Sequence, residues 1–379
     1  MKNKKIKVFV DVFYYKAAGA GIRSYISELS KGLKKYGSEN IEYIFSHNIE
    51  KTINNSRYLN SPNRLIRWIF QLHYIFWKQI ILPIKINFGT IDYIICPDFL
   101  MPIWALKAQK ICVIHDTLFW DYPKNYSFFW RIFFLKMITA GIDKKTTIIT
   151  TSNFSKKNIK RILNKKNDVK VIYQASSITE SKIQKTEIIN QKEKFILHVG
   201  SFEERKDLIT LVKAFKKLKD DTIHKGLKLV LVGNDKFYGN KKIKNKIIKY
   251  INSNNIMKDV IIPGYLKREE ISFLYSAALL YVFPSLEEGF GIPVLESFHF
   301  ECPLICSDAS ALEEIASDSA LFFKKRDHHD LYLKMNHLIL SKDQRDSLVK
   351  KGRERLKLFS LKSFVKKYEK EILIQDNFE

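Results

Sequence analysis

Short apolar runs alternate along the chain with segments in which apolar residues recur at helical spacing. The first run is Val8–Phe13, and the first helical pattern follows at Ile22–Leu33. Runs rich in β-branched and aromatic residues are typical of parallel strands buried on both faces. Helices then serve as the crossovers between them. The alternation therefore predicts a doubly wound α/β fold.

The remaining runs fall into two series, which indicates two domains. Strands are predicted at 41–46, 91–96, 110–115, 146–151 and 169–173, and then at 194–199, 227–233, 258–266, 279–283 and 303–306. The polar segment 176–193 has no apolar periodicity and is predicted to be a linker. A chain of 379 residues is also long for one core. We predict domains at 1–175 and 194–358, followed by a terminal helical segment at 359–379.

The segment from Phe283 to Asp308 carries the clearest candidate chemistry. A strand ends at Pro284, a loop follows with two acids and two glycines, and Pro293 stands in the first turn of a helix. Glycines let the backbone approach a ligand, and free N–H groups at a helix start favour an anion. Carboxylates on the loop and inside the helix suit sugar hydroxyls on either side of a phosphate. A nucleotide sugar fits this pattern.

Two further loops repeat the order of strand, loop and helix. One carries Gly19 and Gly21 after the first strand. The other carries Arg205 and Lys206 directly before a helix, where the helix dipole favours an anion. A forked guanidinium beside an ammonium suits a diphosphate, although two solvated cations in a lysine-rich chain are the alternative.

The run from Glu288 to Glu296, Glu-Gly-Phe-Gly-Ile-Pro-Val-Leu-Glu, resembles the E-x7-E motif of retaining glycosyltransferases of family 4. The resemblance implies the GT-B fold, in which two Rossmann-like domains face a central cleft. It implies that Glu288 faces the donor sugar and that Glu296 binds the ribose. It also implies a terminal helix within 359–379 that crosses back to the first domain.

The same resemblance assigns the other site residues. His115 and Asp116, at the end of a predicted strand, match a His-Asp pair near the transferred sugar, so they join Glu288 as catalytic candidates. The nucleotide sugar is expected to contact residues on five loops: Gly19, Gly21, Arg205, Lys206, Gly233, Tyr265, Leu266, Glu288, Gly289, Phe290, Gly291, Ile292 and Glu296.

The resemblance also implies the reaction. A nucleoside-diphosphate sugar, GDP-mannose or a UDP-sugar, would donate to a lipid-linked saccharide in bacterial surface polysaccharide synthesis. No metal or other cofactor is expected, since the cations and loop N–H groups would stabilise the leaving diphosphate. No protein nucleophile is assigned. The His-Asp-Thr and Glu-Arg-Lys-Asp runs are most similar to O-antigen mannosyltransferases, and capsule synthesis is a related setting.

The net charge of +25 predicts an anionic partner. Two stretches, 63–86 and 127–137, set basic residues among aromatic ones, as at a membrane surface. Helices packed on a sheet with one cationic face in water are the other open interpretation. Four cysteines without metal-ligand spacing indicate buried thiols and a reducing compartment. We expect a cytoplasmic protein, with peripheral attachment to the inner face of the membrane left open.

Two other classes of function fit parts of the sequence. A nucleotide-sugar epimerase would share the fold but would need its own acid and base. A nucleic-acid-binding protein would explain the charge, but the basic residues are spread along the chain without a recognised motif, so no nucleic acid is expected. Release of nucleoside diphosphate only in the presence of acceptor excludes the first, and a gel shift at physiological salt tests the second.

Overall fold

The computed structural model describes residues 5–52, 64–105, 107–163, 167–176, 184–190, 193–233 and 241–376. Within these ranges the chain forms two compact units. The first unit contains the described residues up to 176 and those from 359 onward, and the second contains 184–358. Parts of the predicted linker, 177–183 and 191–192, lie outside the described residues. Each unit has one six-stranded parallel sheet, which confirms the predicted α/β class.

The first unit alternates strands with helices in the predicted order. Its elements are β1 Ile6–Val10, α1 Ala20–Tyr36, β2 Ile41–Phe45, α2 Ile49–Thr52, α3 Arg64–Phe76, α4 Leu82–Phe88, β3 Tyr93–Cys96, β4 Gln109–Val113, α5 Leu118–Asp121, α6 Phe128–Gly141, β5 Thr147–Thr150, α7 Asn153–Leu163 and β6 Val169–Val171. A π-helical turn, Trp77–Ile81, joins α3 to α4. The strands lie in the order β2-β1-β3-β4-β5-β6.

Both faces of this sheet are buried, as the continuous apolar runs predict. In β1, Val8 and Val10 pack with residues of α1 on one side, while Phe9 packs on the other side among residues of the α3–α4 region and α6. The terminal helix α15, Leu361–Asp376, covers the α1 side, where its Tyr368 hydroxyl is hydrogen-bonded to that of Tyr25.

The second unit has the same construction. Its elements are β7 Phe195–Val199, α8 Leu208–Asp220, β8 Lys228–Val232, α9 Lys241–Ser253, β9 Val260–Gly264, α10 Arg268–Ala277, β10 Leu280–Phe283, α11 Ile292–His299, β11 Leu304–Ser307, α12 Leu312–Ala316, β12 Leu321–Phe323, α13 His328–Leu340 and α14 Lys342–Leu356. Its strand order is β12-β11-β10-β7-β8-β9. The strand β12 has only three residues and was not predicted from the sequence.

Each strand order contains one switch point, where the chain changes the direction in which it adds strands. In the first unit this point lies between β1 and β3, and in the second between β7 and β10. Crevices at the carboxyl ends of such strands are where open α/β sheets bind ligands. The two switch points therefore indicate where a site is to be sought in each unit.

Two predictions from the first unit are wrong in detail. The first strand ends at Val10 and not at Phe13, because the Asp11 carboxylate accepts a hydrogen bond from the Phe13 N–H (3.1 Å) and turns the chain into a 3₁₀ turn. Lys78, counted among the basic residues of the 63–86 surface, is fully buried. The side chains of Arg64 and Arg67, from the same set, lie outside what the structure describes.

Among the described residues, no helix combines the length and the apolar character needed to cross a bilayer. All four cysteines are buried free thiols, as predicted.

Candidate active site

Four loops of the second unit start at neighbouring strand ends on either side of its switch point. They follow β10, β7, β8 and β9, in this spatial order. Glu288 lies on the loop after β10, and Arg205 and Lys206 lie on the loop after β7. The other two loops begin beside Gly233 and Tyr265. The donor residues predicted in this unit therefore share one edge of one sheet.

The Glu288 carboxylate is the centre of a charged cluster at the switch point. Its Oε1 accepts hydrogen bonds from the Ser285 hydroxyl (2.6 Å), from the Arg205 guanidinium (3.0 Å) and from the Lys206 ammonium. Its side chain is only 13% exposed, so these pairs are screened weakly by water. The two loops are thereby joined by charge-assisted hydrogen bonds.

Burial favours the neutral form of Glu288, but the charges of Lys206 and Arg205 outweigh burial and lower its pKa to about 2. Burial, together with the charge of Arg205, lowers the pKa of Lys206. Glu288 is therefore a carboxylate at neutral pH. It can accept hydrogen bonds from a ligand, but it has no proton to donate to a leaving group.

Three polar residues that were not predicted from the sequence hold this cluster. Glu203 accepts a hydrogen bond from the Arg205 Nε (2.7 Å) and so fixes the plane of the guanidinium. Ser285 holds the Glu288 carboxylate, and the Ser310 hydroxyl accepts from the Glu288 N–H (2.9 Å). The sequence signal for Glu203 was its position, since it is an acid only two residues before Arg205. Nothing in the local sequence distinguishes the two serines from other loop serines.

The loop from Glu288 to Gly291 enters α11 through a conformation that requires glycine. Gly291 precedes the helix with a φ of 99°, in the left-handed region. A Cβ at this position would also lie 2.8 Å from the Leu312 Cδ2. The predicted neighbours Phe290, which is buried, and Ile292, the first residue of α11, are positioned by this turn.

A second close approach of backbones involves Gly233. Its N–H donates to the Gly264 carbonyl (2.9 Å), and a Cβ on Gly233 would lie 1.8 Å from the Gly200 oxygen. The turns after β7, β8 and β9 therefore pack backbone against backbone. Tyr265 follows with 77% of its side chain exposed, whereas Leu266 is buried.

Glu296 lies one turn inside α11 and is partly buried. Its Oε2 accepts a hydrogen bond from the Tyr275 hydroxyl (3.1 Å). Burial raises the pKa of Glu296. Its environment thus differs from that of Glu288, which is held by two cations, and the two acids are suited to different groups of a ligand.

Residues 179–355, which contain all of these groups, match the family model described as glycosyl transferases group 1. This segment is a group 1 glycosyltransferase domain. The charged cluster of Arg205, Lys206 and Glu288 and the glycine turn at Gly291 therefore belong to a glycosyltransferase domain.

Similar proteins extend the likeness beyond the group 1 domain. An O-antigen chain mannosyltransferase B from Escherichia coli is 25% identical over 240 residues, 59% of this chain and 59% of that protein. A Campylobacter jejuni N-acetylgalactosaminyltransferase named for a diphospho-undecaprenol acceptor is 25% identical over 193 residues, 50% of this chain and 49% of that protein. The matches thus span 59% and 49% of the length of these two relatives.

The fold is shared with solved structures, among them WaaG, a glycosyltransferase involved in lipopolysaccharide biosynthesis, with a TM-score of 0.65 and 12% identity over 96% of this chain and 98% of that one. The structure of Anabaena HepE in complex with UDP has a TM-score of 0.70 and 14% identity, and the match covers 97% of this chain and 99% of that one. The GT-B fold predicted from the sequence is thereby confirmed for the group 1 domain and the unit that accompanies it.

In the first unit, the structure places His115 two residues after the end of β4, and not at the strand end as predicted, with its ring buried. Its Nε2 lies 2.9 Å from the Pro97 carbonyl, which can only accept, so the proton is on Nε2. Burial lowers the pKa of His115 to about 4, and the imidazole is neutral at pH 7. The Asp116 carboxylate accepts from the Leu118 N–H (3.1 Å) and so caps the first turn of α5.

The two glycines predicted in the first loop differ in their roles. Gly19 precedes α1, and its carbonyl accepts the Arg23 N–H (2.9 Å) as the first bond of that helix. Gly21 lies in the first turn of α1, is exposed, and has no atom within 4 Å of where its Cβ would stand. Backbone contact with a ligand at either glycine stays a prediction.

Proposed function

We propose that this chain is a retaining glycosyltransferase that moves a sugar from a nucleoside-diphosphate sugar to a lipid-linked saccharide. The observation that carries the proposal is the joining of Arg205 and Lys206 to Glu288 at the switch point of the group 1 domain. Two cations on one loop and one carboxylate on the next provide for the two parts of such a donor, the diphosphate and the sugar.

The roles of the charged groups follow from their chemistry. Arg205 and Lys206 would hold the diphosphate and stabilise the charge that develops on it as the glycosidic bond breaks. Glu288, ionised at neutral pH, would accept hydrogen bonds from sugar hydroxyls. Glu296 would hold the ribose. Because side-chain cations would neutralise the leaving group, the reaction would need no metal. The leaving phosphate itself would take the proton of the acceptor hydroxyl.

The setting of the reaction is proposed from the relatives. One is named as a mannosyltransferase of the O-antigen chain, and another as acting on a sugar linked to diphospho-undecaprenol. HepE was solved with UDP. We therefore propose a sugar–lipid acceptor in surface polysaccharide synthesis, with GDP-mannose or a UDP-sugar as donor.

The experiment that tests the function starts with thermal unfolding of the full chain with UDP, GDP, ADP and CMP. We expect one diphosphate to raise the Tm selectively, since a ligand at 100 times its Kd adds about 2.7 kcal/mol of stability. The corresponding donor is then supplied with lipid extract as acceptor, in EDTA. Free nucleoside diphosphate should appear only when acceptor is present. No Tm shift with any nucleotide would contradict the proposal.

We also propose that the chain associates with a membrane surface. An apolar stripe on the first unit supports this. Trp68, Leu72, Phe76, Ile80, Ile84 and Phe88 are all exposed and recur every four residues along the continuous helical segment 64–88. Phe128 and Phe129 at the start of α6 are exposed as well. Large exposed apolar patches mark protein–protein or membrane interaction sites. Exposed Lys85 and Lys136 lie in the same helices.

We expect the protein to bind vesicles that contain anionic lipid and to bind them less well as salt is raised, because basic side chains contribute to attraction. The variant Trp68→Ser/Phe76→Ser should bind at least 10-fold more weakly, since two large apolar side chains no longer enter the interface. Ile223→Ser/Leu358→Ser removes exposed apolar residues of the second unit and serves as control. Co-sedimentation measures both. Absence of binding at low salt would count against membrane association.

A further inference from the structure

A buried ion cluster lies at the switch point of the first unit, and none of its members was predicted from the sequence as a site residue. The Lys78 ammonium is 2.7 Å from the Asp11 Oδ2 and 2.7 Å from the Asp98 Oδ1. The three residues are at most 1% exposed. Asp11 directly follows β1, and Asp98 follows β3 by two residues. We call these three residues the Lys78 cluster.

Both carboxylates of the cluster accept further hydrogen bonds. The Asp11 Oδ1 accepts from the Phe13 N–H (3.1 Å) and the Trp77 Nε1 (3.1 Å), and the Asp98 Oδ2 accepts from the Tyr74 hydroxyl (2.9 Å). Burial opposes the charge of Lys78, but the two carboxylates raise its pKa well above the usual value, so it is charged. Taking three charges out of water is costly, and apolar residues in their place are often as stable. Stability alone therefore does not account for the cluster.

The helix that carries Lys78 departs from α-helical geometry at this point. Lys78 lies in the π-helical turn Trp77–Ile81, and such turns frequently mark functional sites. Trp77 and Lys78 are adjacent and both buried, while Phe76 and Ile80 on either side are exposed. The turn thus directs the lysine to the two carboxylates without turning the apolar stripe away from the surface.

The two carboxylates belong to loops that lead to predicted site residues. Asp98 lies between Pro97, whose carbonyl accepts from the His115 Nε2 (2.9 Å), and Phe99. Phe99 has a φ of 70°, a left-handed conformation that is strained for a phenylalanine. Asp11 fixes the start of the turn that leads towards Gly19. Lys78 thus joins the loop that holds His115 to the loop that precedes α1.

We propose that Lys78 is a positioning residue, whose ammonium holds the loops after β1 and β3, and through Pro97 the His115 ring, in the geometry that serves sugar transfer. The inference rests on the proposed glycosyltransferase function. Asp11, Cys96 and Asp98 also offer ligand atoms within 4.8 Å of one another, as a metal site would. However, the lysine ammonium already bridges both carboxylates, so the cation at this place is Lys78.

The test compares Lys78→Met with the neutral variant Asp11→Asn/Lys78→Met/Asp98→Asn. The neutral variant leaves no unpaired buried carboxylate in the cluster, so it can still be measured if Lys78→Met fails to fold. We expect both variants to lower kcat/KM for the acceptor at least 10-fold. Nucleoside diphosphate affinity should stay within twofold, because the groups proposed to bind it are in the group 1 domain. Hydrogen exchange should accelerate in segments 11–17 and 97–101.

Lys110→Met is the matched control. Lys110 is also buried and paired with an acid, Asp143 (2.9 Å). However, it lies near the start of β4, at the amino ends of the strands, whereas the Lys78 cluster lies at their carboxyl ends. We expect this variant to lose stability without the kinetic defect. The inference would be overturned if the neutral variant folded with unchanged exchange in both segments and an acceptor kcat/KM within twofold of wild type. A wild-type protein without transfer activity would instead contradict the proposed function, while hydrogen exchange would still decide whether Lys78 holds the loops.

Discussion

Replacing Arg205 by alanine is expected to weaken nucleoside diphosphate binding by about 10- to 100-fold. The guanidinium would form charge-assisted hydrogen bonds with the diphosphate oxygens, and hydrogen bonds to charged groups contribute about 1.5–3 kcal/mol each. One factor of ten in Kd corresponds to about 1.4 kcal/mol. Isothermal titration with the diphosphate selected by the nucleotide panel measures the change.

The loop itself should survive this substitution. Besides the guanidinium, the backbone of residue 205 also contacts the loop after β10, because its carbonyl accepts from the Leu286 N–H (2.7 Å) and from the Ser285 hydroxyl (3.2 Å). The Glu203 and Glu288 carboxylates lose one partner each, but Glu288 keeps Lys206 and Ser285. A modest loss of stability, measured separately by thermal unfolding without ligand, is therefore expected.

Arg353→Ala is the matched control for Arg205→Ala. Arg353 lies in the same unit and donates two hydrogen bonds to Glu301, but it is exposed on α14. Its removal should leave the diphosphate Kd within twofold. Arg205→Lys keeps the charge and loses the forked geometry, so an intermediate Kd is expected. If Arg205→Ala bound the diphosphate as tightly as wild type, the loop after β7 would not be the diphosphate site.

The fold could be predicted from the sequence because its signals are local. Buried parallel strands are continuous apolar runs, and the glycine turn before α11 is visible as two glycines before a proline. The short strand β12 has only three residues and gives no such signal. The first strand was extended too far because Val12 and Phe13 continue the apolar run, whereas the chain is turned there by the carboxylate of Asp11.

The site was predictable only as far as its residues are neighbours in sequence. Glu288 and Glu296 share one loop and helix, and Arg205 and Lys206 are adjacent. The contact between Arg205 and Glu288 joins positions 83 residues apart and depends on the neighbouring positions of β7 and β10 in the sheet.

Lys78 shows the opposite failure. A lysine among aromatic residues of a helix is expected to lie at the water-facing side, whereas Lys78 lies in a π-helical turn and is buried. Its two partners are 67 positions before it and 20 positions after it in the sequence, on separate loops. No periodicity of the helix itself indicates them.

Glu288→Gln should separate catalysis from binding. We expect the transfer rate to fall by at least 100-fold, because the carboxylate that would accept hydrogen bonds from the donor sugar is lost. Diphosphate affinity should be retained or rise several-fold. In the wild type, Glu288 neutralises Arg205 and Lys206, and a glutamine leaves both cations to the phosphate oxygens. Single-turnover kinetics and isothermal titration measure the two quantities.

The difference in stability between the wild type and Glu288→Gln is expected to depend on pH. The charges of Lys206 and Arg205 lower the pKa of Glu288 from 4.5 to about 2, so its ionised form contributes stability to the folded state above pH 4.5. This contribution is lost as the pH falls towards 2, because the carboxylate is then protonated in the folded state as well. The difference in unfolding free energy between wild type and Glu288→Gln should therefore shrink over that range. Glu301→Gln is the control, because Glu301 is also paired with an arginine but is exposed.

The two substitutions at the switch point together test the division of labour within the charged cluster. If Arg205 binds diphosphate and Glu288 positions the sugar, one variant loses affinity and the other loses rate while keeping affinity. If Glu288 only holds the two cations in place, its removal should weaken diphosphate binding as Arg205→Ala does, and the transfer rate at saturating donor should be nearly unchanged. The second pattern would contradict a role for Glu288 at the donor sugar, because a residue that touches the reacting sugar must affect the rate after the donor is bound.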